Sequence, residues 1–228
     1  MRINKYLTTA NYCSRREADR LIEKGKVKIN DTVAQLGQQV GTSDRVFVRG
    51  FSSREHPSVI PSEAKRSRGI PRGWEEIVLD QKDKIYLAFH KPVGVICTTD
   101  PKAKDNIIEA VNYPERVYPV GRLDVASSGL ILLTNDGSVV NKILKGQNKV
   151  EKEYLVDVDK LVTEDKLKRL ERGVVLDGHK TLPAKTKKLG PKKFSIVIVE
   201  GKSRQVRRMC EMVGLKAVRL HRVRIGRM

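Results

Sequence analysis

Aromatic residues, cysteines and long apolar runs are all scarce in this chain of 228 residues. No run approaches the roughly 18 apolar residues that cross a bilayer, and the opening stretch MRINKYL lacks the apolar core of a signal peptide. The sequence therefore predicts a cytoplasmic protein without a membrane span. The three cysteines lie far apart and form no C-x-x-C pair, which disfavours a disulfide framework or a structural zinc site.

Acidic residues are also too few to balance the basic ones. Lys and Arg number 46 against 27 Asp and Glu, a net charge of +19, and residues 201–228 hold nine basic residues beside one acid, Glu211. Such clustering favours a polyanionic partner, above all nucleic acid, over a generally basic surface. Because aromatics make up only 5% of the chain, recognition is expected to depend on phosphate contacts and folded RNA shape.

Residues 1–49 have the pattern of a small unit of helices and strands. SRREADRLIEKG predicts a helix capped by Ser14, with Glu17 at the reciprocal capping position and Gly25 at the end. Alternation in KVKIN and DRVFVRG predicts two half-buried strands. The solvent side of the helix carries three arginines whose spacing fits phosphate contact and simple solvation equally well: Arg15, Arg16 and Arg20.

A resemblance to a known domain favours phosphate contact. The stretch RINKYLTTANYCSRREADRLIEKGKVKIN resembles the S-four-type RNA-binding domain, a helix-turn-helix packed on a few strands. Relatives usually place Gly after the final Asn, whereas this chain has Asp31, which also tolerates turn geometry. The resemblance implies that Arg15, Arg16 and Arg20 bind RNA.

Residues 50–82 and residues 83–228 differ in composition. The first segment is rich in Ser, Pro and Arg without an apolar period, which predicts a flexible linker or insert. The second alternates the strand-like segments KIYLAFHKP, KEYLVDV and FSIVIVE with the helix-like segments SVVNKILKG and TEDKLKRLERG. No Gly-rich nucleotide loop follows a strand, so we expect an α+β domain rather than a doubly wound dinucleotide fold.

SRQVRRMCEMVG predicts an amphipathic helix. Its apolar face has helical spacing: Val206, Met209, Cys210 and Val213. The same spacing places charged residues on the opposite face: Arg204, Arg207, Arg208 and Glu211. Lys202 lies in the preceding turn, next to the free amides of the helix start. The arginines and Lys202 favour an anion site over a solvated face.

Asp124 lies in VYPVGRLDVASSGLILLTNDG, just before an apolar run. An aspartate in such a loop is more often a turn-former than a catalyst, and here it would bond the backbone amides of Ser127 or Ser128. The spacing of the residues alone therefore does not assign Asp124 to catalysis.

Four blocks in one order change that interpretation. KPVGVICTT, GRLDVASSGLILLTNDG, EKEYLVDV and EGKSRQVRRMCEMVG closely resemble the signature blocks of the RNA pseudouridine synthases of the RsuA/RluB/RluE/RluF branch. VNKIL, EKEYLV and RQVRRMCE are most similar to the RluF-type enzymes of 23S rRNA. The resemblance implies an S-four-type domain followed by an α+β catalytic domain with a mixed, mainly antiparallel sheet. Lys91 and Pro92 of the first block are expected to shape the core.

The resemblance also implies a reaction and its residues. Uridine in ribosomal RNA, flipped out of a folded stem-loop, would be isomerised to pseudouridine without a cofactor or metal. Asp124 would be the catalytic carboxylate, either adding covalently or taking the proton of the ribose 2′ carbon. Tyr154 would lie against the uracil and help remove the proton of carbon 5, and Arg207 would keep Asp124 ionised. Arg122 would fill the vacated space or hold the displaced strand, and Leu220 would line the pocket.

Other interpretations remain open at this stage. A non-catalytic RNA-binding or ribosome-assembly protein would share the basic surface and the RNA-binding domain, while no feature favours an RNA glycosidase. Relatives continue past the segment matching LHRVRIG with another strand, whereas this chain stops at Met228. A truncated, poorly active synthase is therefore a further alternative. We expect a monomer.

Overall fold

The computed structural model describes residues 1–10, 12–49, 73–79, 83–144 and 150–228. These residues divide into two compact units, Met1–Lys84 with Pro114–Arg116, and Ile85–Tyr113 with Val117–Met228. Among the helices in the described ranges, none is both long and apolar enough to cross a membrane.

The first unit packs two helices against a four-stranded antiparallel sheet of order β2-β1-β3-β4. The Ser14 hydroxyl accepts a hydrogen bond from the Glu17 amide at 3.2 Å, which confirms the predicted helix cap. The Glu17 carboxylate binds Arg20 instead of returning to the Ser14 amide, so the reciprocal bond is not formed. The elements are α1 (Ile3–Thr9), α2 (Arg15–Glu23), β1 (Val27–Ile29), β2 (Thr32–Val33), β3 (Val46–Arg49) and β4 (Trp74–Ile77).

β4 corrects the expectation of a linker over residues 50–82. Trp74–Ile77 pairs antiparallel with β3, and Ile77 is buried, so the linker prediction is wrong for this strand. The Ile77 carbonyl also accepts a hydrogen bond from the Tyr6 hydroxyl at 3.0 Å. Composition missed the strand because its stability comes from these non-local partners. Residues 50–72 and 80–82 lie outside the described residues.

The second unit contains a seven-stranded sheet whose main path is β11-β12-β8-β13-β7-β5, with β6 pairing β7. Within it, β13 and β7 are parallel and the other described pairs are antiparallel, which confirms the predicted mixed α+β architecture. A separate two-stranded ladder joins β9 and β10. The elements are β5 (Tyr86–Lys91), α3 (Ile107–Val111), β6 (Tyr118–Val120), β7 (Ser128–Thr134), α4 (Gly137–Leu144), β8 (Lys152–Val158), α5 (Glu164–Glu171), β9 (Val175–Leu176), β10 (His179–Lys180), β11 (Lys185–Gly190), β12 (Lys193–Ile198), α6 (Gln205–Met212) and β13 (Ala217–Ile225).

One face of this sheet forms the core of the second unit. Along β8, Tyr154, Val156 and Val158 are buried while the alternate side chains are half-buried, as a strand with one core face requires. These residues pack in one cluster with Leu167 of α5 and Met209 of α6. The strands predicted over KIYLAFHKP, KEYLVDV and FSIVIVE and the helices predicted over SVVNKILKG and TEDKLKRLERG are confirmed.

The parallel crossing of β7 and β13 depends on a glycine. Gly129 has φ +111, a backbone conformation that side chains of L-residues rarely adopt. A Cβ atom at Gly129 would lie 2.2 Å from the Arg222 carbonyl oxygen, so only glycine allows the two backbones to approach this closely. β7 begins directly after the loop that carries Asp124, and this crossing therefore places that loop beside β13.

Candidate active site

Asp124 lies half-buried in the loop between β6 and β7. Its main-chain carbonyl accepts a hydrogen bond from the Ser127 amide at 3.0 Å, which closes a backbone turn. Its carboxylate has no hydrogen bond or ion pair in the described part of the chain. The turn expected from the Asp124 side chain is thus formed by its backbone, and the carboxylate oxygens are left for other partners.

The KPVGVICTT block supports this loop on one side. The Leu123 amide donates to the Cys97 sulfur at 3.3 Å, and the Gly94 amide donates to the Val125 carbonyl at 2.9 Å. The residues immediately before and after Asp124 are therefore both held by one neighbouring segment.

Lys91 organises that supporting segment from within the core. Its side chain is fully buried, as expected for a core residue, and its ammonium donates to the carbonyls of Pro92 at 2.7 Å and Val95 at 2.8 Å. Burial lowers the pKa of the Lys91 ammonium, and nearby Cys97 and Asp124 oppose that shift. Lys91 thus places a positive charge behind the Asp124 loop.

Arg207 supports the loop from the other side. It is 8% exposed, so it is buried although its spacing places it opposite the apolar face of α6. Its Nη1 donates to the Ala217 carbonyl at 2.8 Å, and its Nη2 donates to the Ala126 carbonyl at 2.7 Å and the Ser127 hydroxyl at 3.3 Å. A buried guanidinium requires such acceptors. Within the described residues no ion pair joins it to Asp124, so Arg207 holds the loop backbone rather than the carboxylate.

The other basic residues near the start of α6 differ in their partners. Arg204 is exposed and precedes the helix with φ 49. Arg208 lies 2.6 Å from an Asp177 oxygen, and this contact holds the pKa of the Asp177 carboxyl below its usual value. Lys202 lies 3.8 Å from a Glu200 oxygen. The predicted anion-binding residues are therefore present at the start of α6, but carboxylates already contact Arg208 and Lys202.

Tyr154 and Leu220 lie on the core face of two adjacent central strands. They are 8% and 5% exposed and belong to the same cluster as Leu123, the residue before Asp124. In the ladder between β13 and β8, Leu220 is opposite Val156 and Arg222 is opposite Tyr154. The sheet thus brings Tyr154, Leu220 and the chain entering the Asp124 loop into one region.

Arg222 is a buried residue of this region that sequence reasoning missed. It is 5% exposed, its Nε donates to the Leu130 carbonyl at 2.7 Å, and its Nη1 lies 3.5 Å from the Tyr154 hydroxyl. Two irregularities in β13 obscure the alternation of its side chains. The sequence could have indicated Arg222, because it lies two positions after Leu220 and residues i and i+2 of a strand share a face.

The remaining predicted RNA contacts are exposed side chains. Arg122 is exposed two residues before Asp124, and no ion pair to it occurs within the described ranges. Arg15, Arg16 and Arg20 are exposed on α2 of the first unit. In the described portions of the chain, no group of three or more His, Cys, Asp or Glu side chains could hold a metal ion.

Two family models match this chain: RNA pseudouridylate synthase over residues 85–212 and S4 domain over residues 1–46. The dual-specificity RNA pseudouridine synthase RluF of Escherichia coli (strain K12) is 43% identical over 225 residues, which cover 99% of this chain and 70% of that protein. Ribosomal large subunit pseudouridine synthase B of Bacillus subtilis (strain 168) is 36% identical over 230 residues, which cover 97% of this chain and 84% of that protein.

A crystal structure of a pseudouridylate synthase shares the fold. The two chains align with a TM-score of 0.63 and 26% sequence identity, over 100% of this chain and 90% of the other. The resemblance inferred from the four blocks and the amino-terminal pattern is confirmed. The chain therefore belongs to the RNA pseudouridine synthase family, in the branch that includes RluF and RluB, whose enzymes isomerise uridine to pseudouridine.

Proposed function

We propose that this protein isomerises uridine to pseudouridine in ribosomal RNA of the large subunit, with Asp124 as the catalytic carboxylate. The observation that carries the proposal is a carboxylate with no hydrogen bond or ion pair in the described structure, placed in a loop whose backbone is bound on both sides. The relative named ribosomal large subunit pseudouridine synthase B supports the choice of RNA.

The chemistry requires a carboxylate that is fixed in position yet free to react. The glycosidic bond between nitrogen 1 and the ribose breaks, the uracil turns, and carbon 5 forms the new bond before losing its proton. The reaction has no net oxidation or reduction, so it requires no redox cofactor. Asp124 begins it either by adding covalently or by taking the proton of the 2′ carbon, and a loop held in place makes either approach productive.

The other site residues divide between contact and support. Tyr154 stacks against the uracil and helps remove the proton of carbon 5, with Leu220 on the same core face lining the pocket. Arg207 acts through the loop, because its bonds end on Ala126 and Ser127. Arg122, exposed two residues before Asp124, either occupies the space that the flipped uridine leaves or holds the displaced strand.

Binding of the RNA draws on basic side chains in both units, all of them exposed except half-buried Arg208. α2 presents Arg15, Arg16 and Arg20 to phosphates, and the start of α6 presents its own group of basic residues, namely Lys202, Arg204 and Arg208. A monomer binding a folded stem-loop accounts for the proposed reaction.

Pseudouridine mapping tests the substrate. Ribosomal RNA is mapped from cells with and without the gene, and transcripts of each subunit's RNA are mapped after treatment with the purified protein. We expect a large-subunit site that is lost on deletion and regained on the treated transcript, with small-subunit RNA as the internal control. Modification confined to small-subunit RNA would contradict the substrate, and RNA binding without any modification would identify a non-catalytic RNA-binding protein.

A further inference from the structure

Arg222 connects the two strands that flank β13. Its Nε donates to the Leu130 carbonyl of β7 at 2.7 Å, and its Nη1 lies 3.5 Å from the Tyr154 hydroxyl of β8. The guanidinium carbon lies 6.0 Å from the centroid of the Tyr154 ring. Its third nitrogen, Nη2, is buried and has no hydrogen-bond partner in the described structure.

Core stability does not explain this arrangement. Burying a guanidinium is costly unless it is paired and fully hydrogen-bonded, and no carboxylate pairs with Arg222 among the described residues. A second cation, Lys152, is buried on the same face of β8 as Tyr154. The pKa of Lys152 is lowered first by burial and then by the positive charge of Arg222. An apolar side chain at position 222 would avoid both costs.

We propose that Arg222 is a positioning residue for Tyr154. It fixes the phenol relative to β7, the strand that begins just after the Asp124 loop, and so sets Tyr154 relative to Asp124. The inference rests on the proposed role of Tyr154 in the reaction. The incomplete hydrogen bonding of Arg222 fits a residue whose geometry serves the site rather than the stability of the core.

A double-mutant cycle separates positioning from simple support of the fold. We compare Arg222→Gln, Tyr154→Phe and the double variant by release of tritium from carbon 5 of uridine, with enzyme in excess over RNA so that slow reactions remain measurable. Arg222→Gln is expected to slow release by about 10- to 100-fold. If Arg222 acts through the Tyr154 hydroxyl, the double variant will be no slower than Tyr154→Phe alone.

Two further variants complete the design. Arg222→Lys keeps the charge but cannot reach both acceptors, so we expect an unfolding midpoint near that of the unmodified protein with most of the rate still lost. This variant carries the test if Arg222→Gln fails to fold. The matched control is Arg224→Gln on the same strand, whose guanidinium pairs with Glu153 and Glu151, and its rate should stay within about twofold.

The outcomes separate this inference from the proposed function. If the rate losses of the two single variants multiply in the double variant, Arg222 acts independently of Tyr154 and the inference is overturned. Tritium release at the full rate by Arg222→Gln or Arg222→Lys would also overturn it. A Tyr154→Phe variant with the full rate would remove the role of Tyr154, and the inference with it. Absence of tritium release from the unmodified protein would instead overturn the proposed function.

Discussion

Asp124 is held in position by its neighbours rather than by bonds to its own carboxylate. The supporting groups come from far along the chain: Cys97 is 26 positions from Leu123, and Arg207 is 81 positions from Ala126. Spacing in the sequence could not reveal such contacts, and it suggested a turn formed by the side chain instead. The four family blocks point to these distant segments together, because the blocks include Cys97, the Asp124 loop and Arg207.

Removal of the Arg207 guanidinium should loosen this loop. In Arg207→Gln the carbonyls of Ala126 and Ala217 lose their donors, and we expect the free energy of unfolding to fall by about 2–4 kcal/mol. The reaction should slow at least about 10-fold, because Asp124 would no longer be held in one place. Urea denaturation and tritium release measure the two effects.

The stability control for this change is Arg204→Gln. Arg204 is exposed and lies three positions before Arg207, so its loss should change the free energy of unfolding by no more than about 0.5 kcal/mol. Equal stabilities for the two variants would show that the bonds of Arg207 to the loop contribute nothing.

Secondary-structure elements with local signals were predictable, and those that depend on distant partners were not. The cap and apolar face of α2 and the strand over KEYLVDV are properties of short segments, and both predictions are confirmed. β4 forms because β3 supplies its hydrogen bonds. α6 was predicted as a helix, but its buried face includes Arg207 because carbonyls of the Asp124 loop and of β13 are available to that side chain.

Substitution of Gly129 tests the crossing of β7 and β13. In Gly129→Ala the new Cβ would lie 2.2 Å from the Arg222 carbonyl oxygen, so the strands must separate. We expect the free energy of unfolding to fall by about 3 kcal/mol or more, with loss of tritium release. Chemical denaturation of the purified variant measures the change in stability.

Gly178→Ala provides a matched comparison. Gly178 also has a positive φ, +76, but a Cβ there would meet no atom within 4 Å. Gly178→Ala should therefore lower the free energy of unfolding only through backbone strain, by about 1 kcal/mol. If both alanine variants lose the same stability, close approach of the two strands is not what requires Gly129.

At the level of the whole molecule, the net charge of +19 predicted a polyanionic partner, and membership of an RNA-modifying family agrees with it. The amino-terminal match over residues 1–46 likewise agrees with the S-four-type pattern. Composition could not show where the first unit ends, because β4 returns to its sheet from a segment that has the composition of a linker.

The salt dependence of RNA binding tests which of these charges contact phosphate. Replacing Arg15, Arg16 and Arg20 together by Gln should weaken binding to the ribosomal RNA substrate. It should also reduce the slope of log affinity against log salt concentration by roughly two, because each lost phosphate contact removes about 0.7–0.9 from that slope. Filter binding at several salt concentrations measures the slope.

The matched control removes the same charge from the β11–β12 hairpin. Lys187, Lys188 and Lys192 are exposed there, and their joint replacement by Gln should leave the slope nearly unchanged. Equal losses for the two triple variants would mean that RNA responds only to net charge, and would contradict a specific role for α2.

Release of tritium from carbon 5 of uridine by Asp124→Asn tests the central claim most directly. Asparagine preserves the size of the side chain and the loop contacts, which are made by the backbone, but removes the negative charge. We predict that the unmodified protein releases tritium from ribosomal RNA and that the variant does so at least about 1000-fold more slowly, while still binding the RNA. Release by Asp124→Asn at the rate of the unmodified protein would contradict the assignment of Asp124 as the catalytic carboxylate.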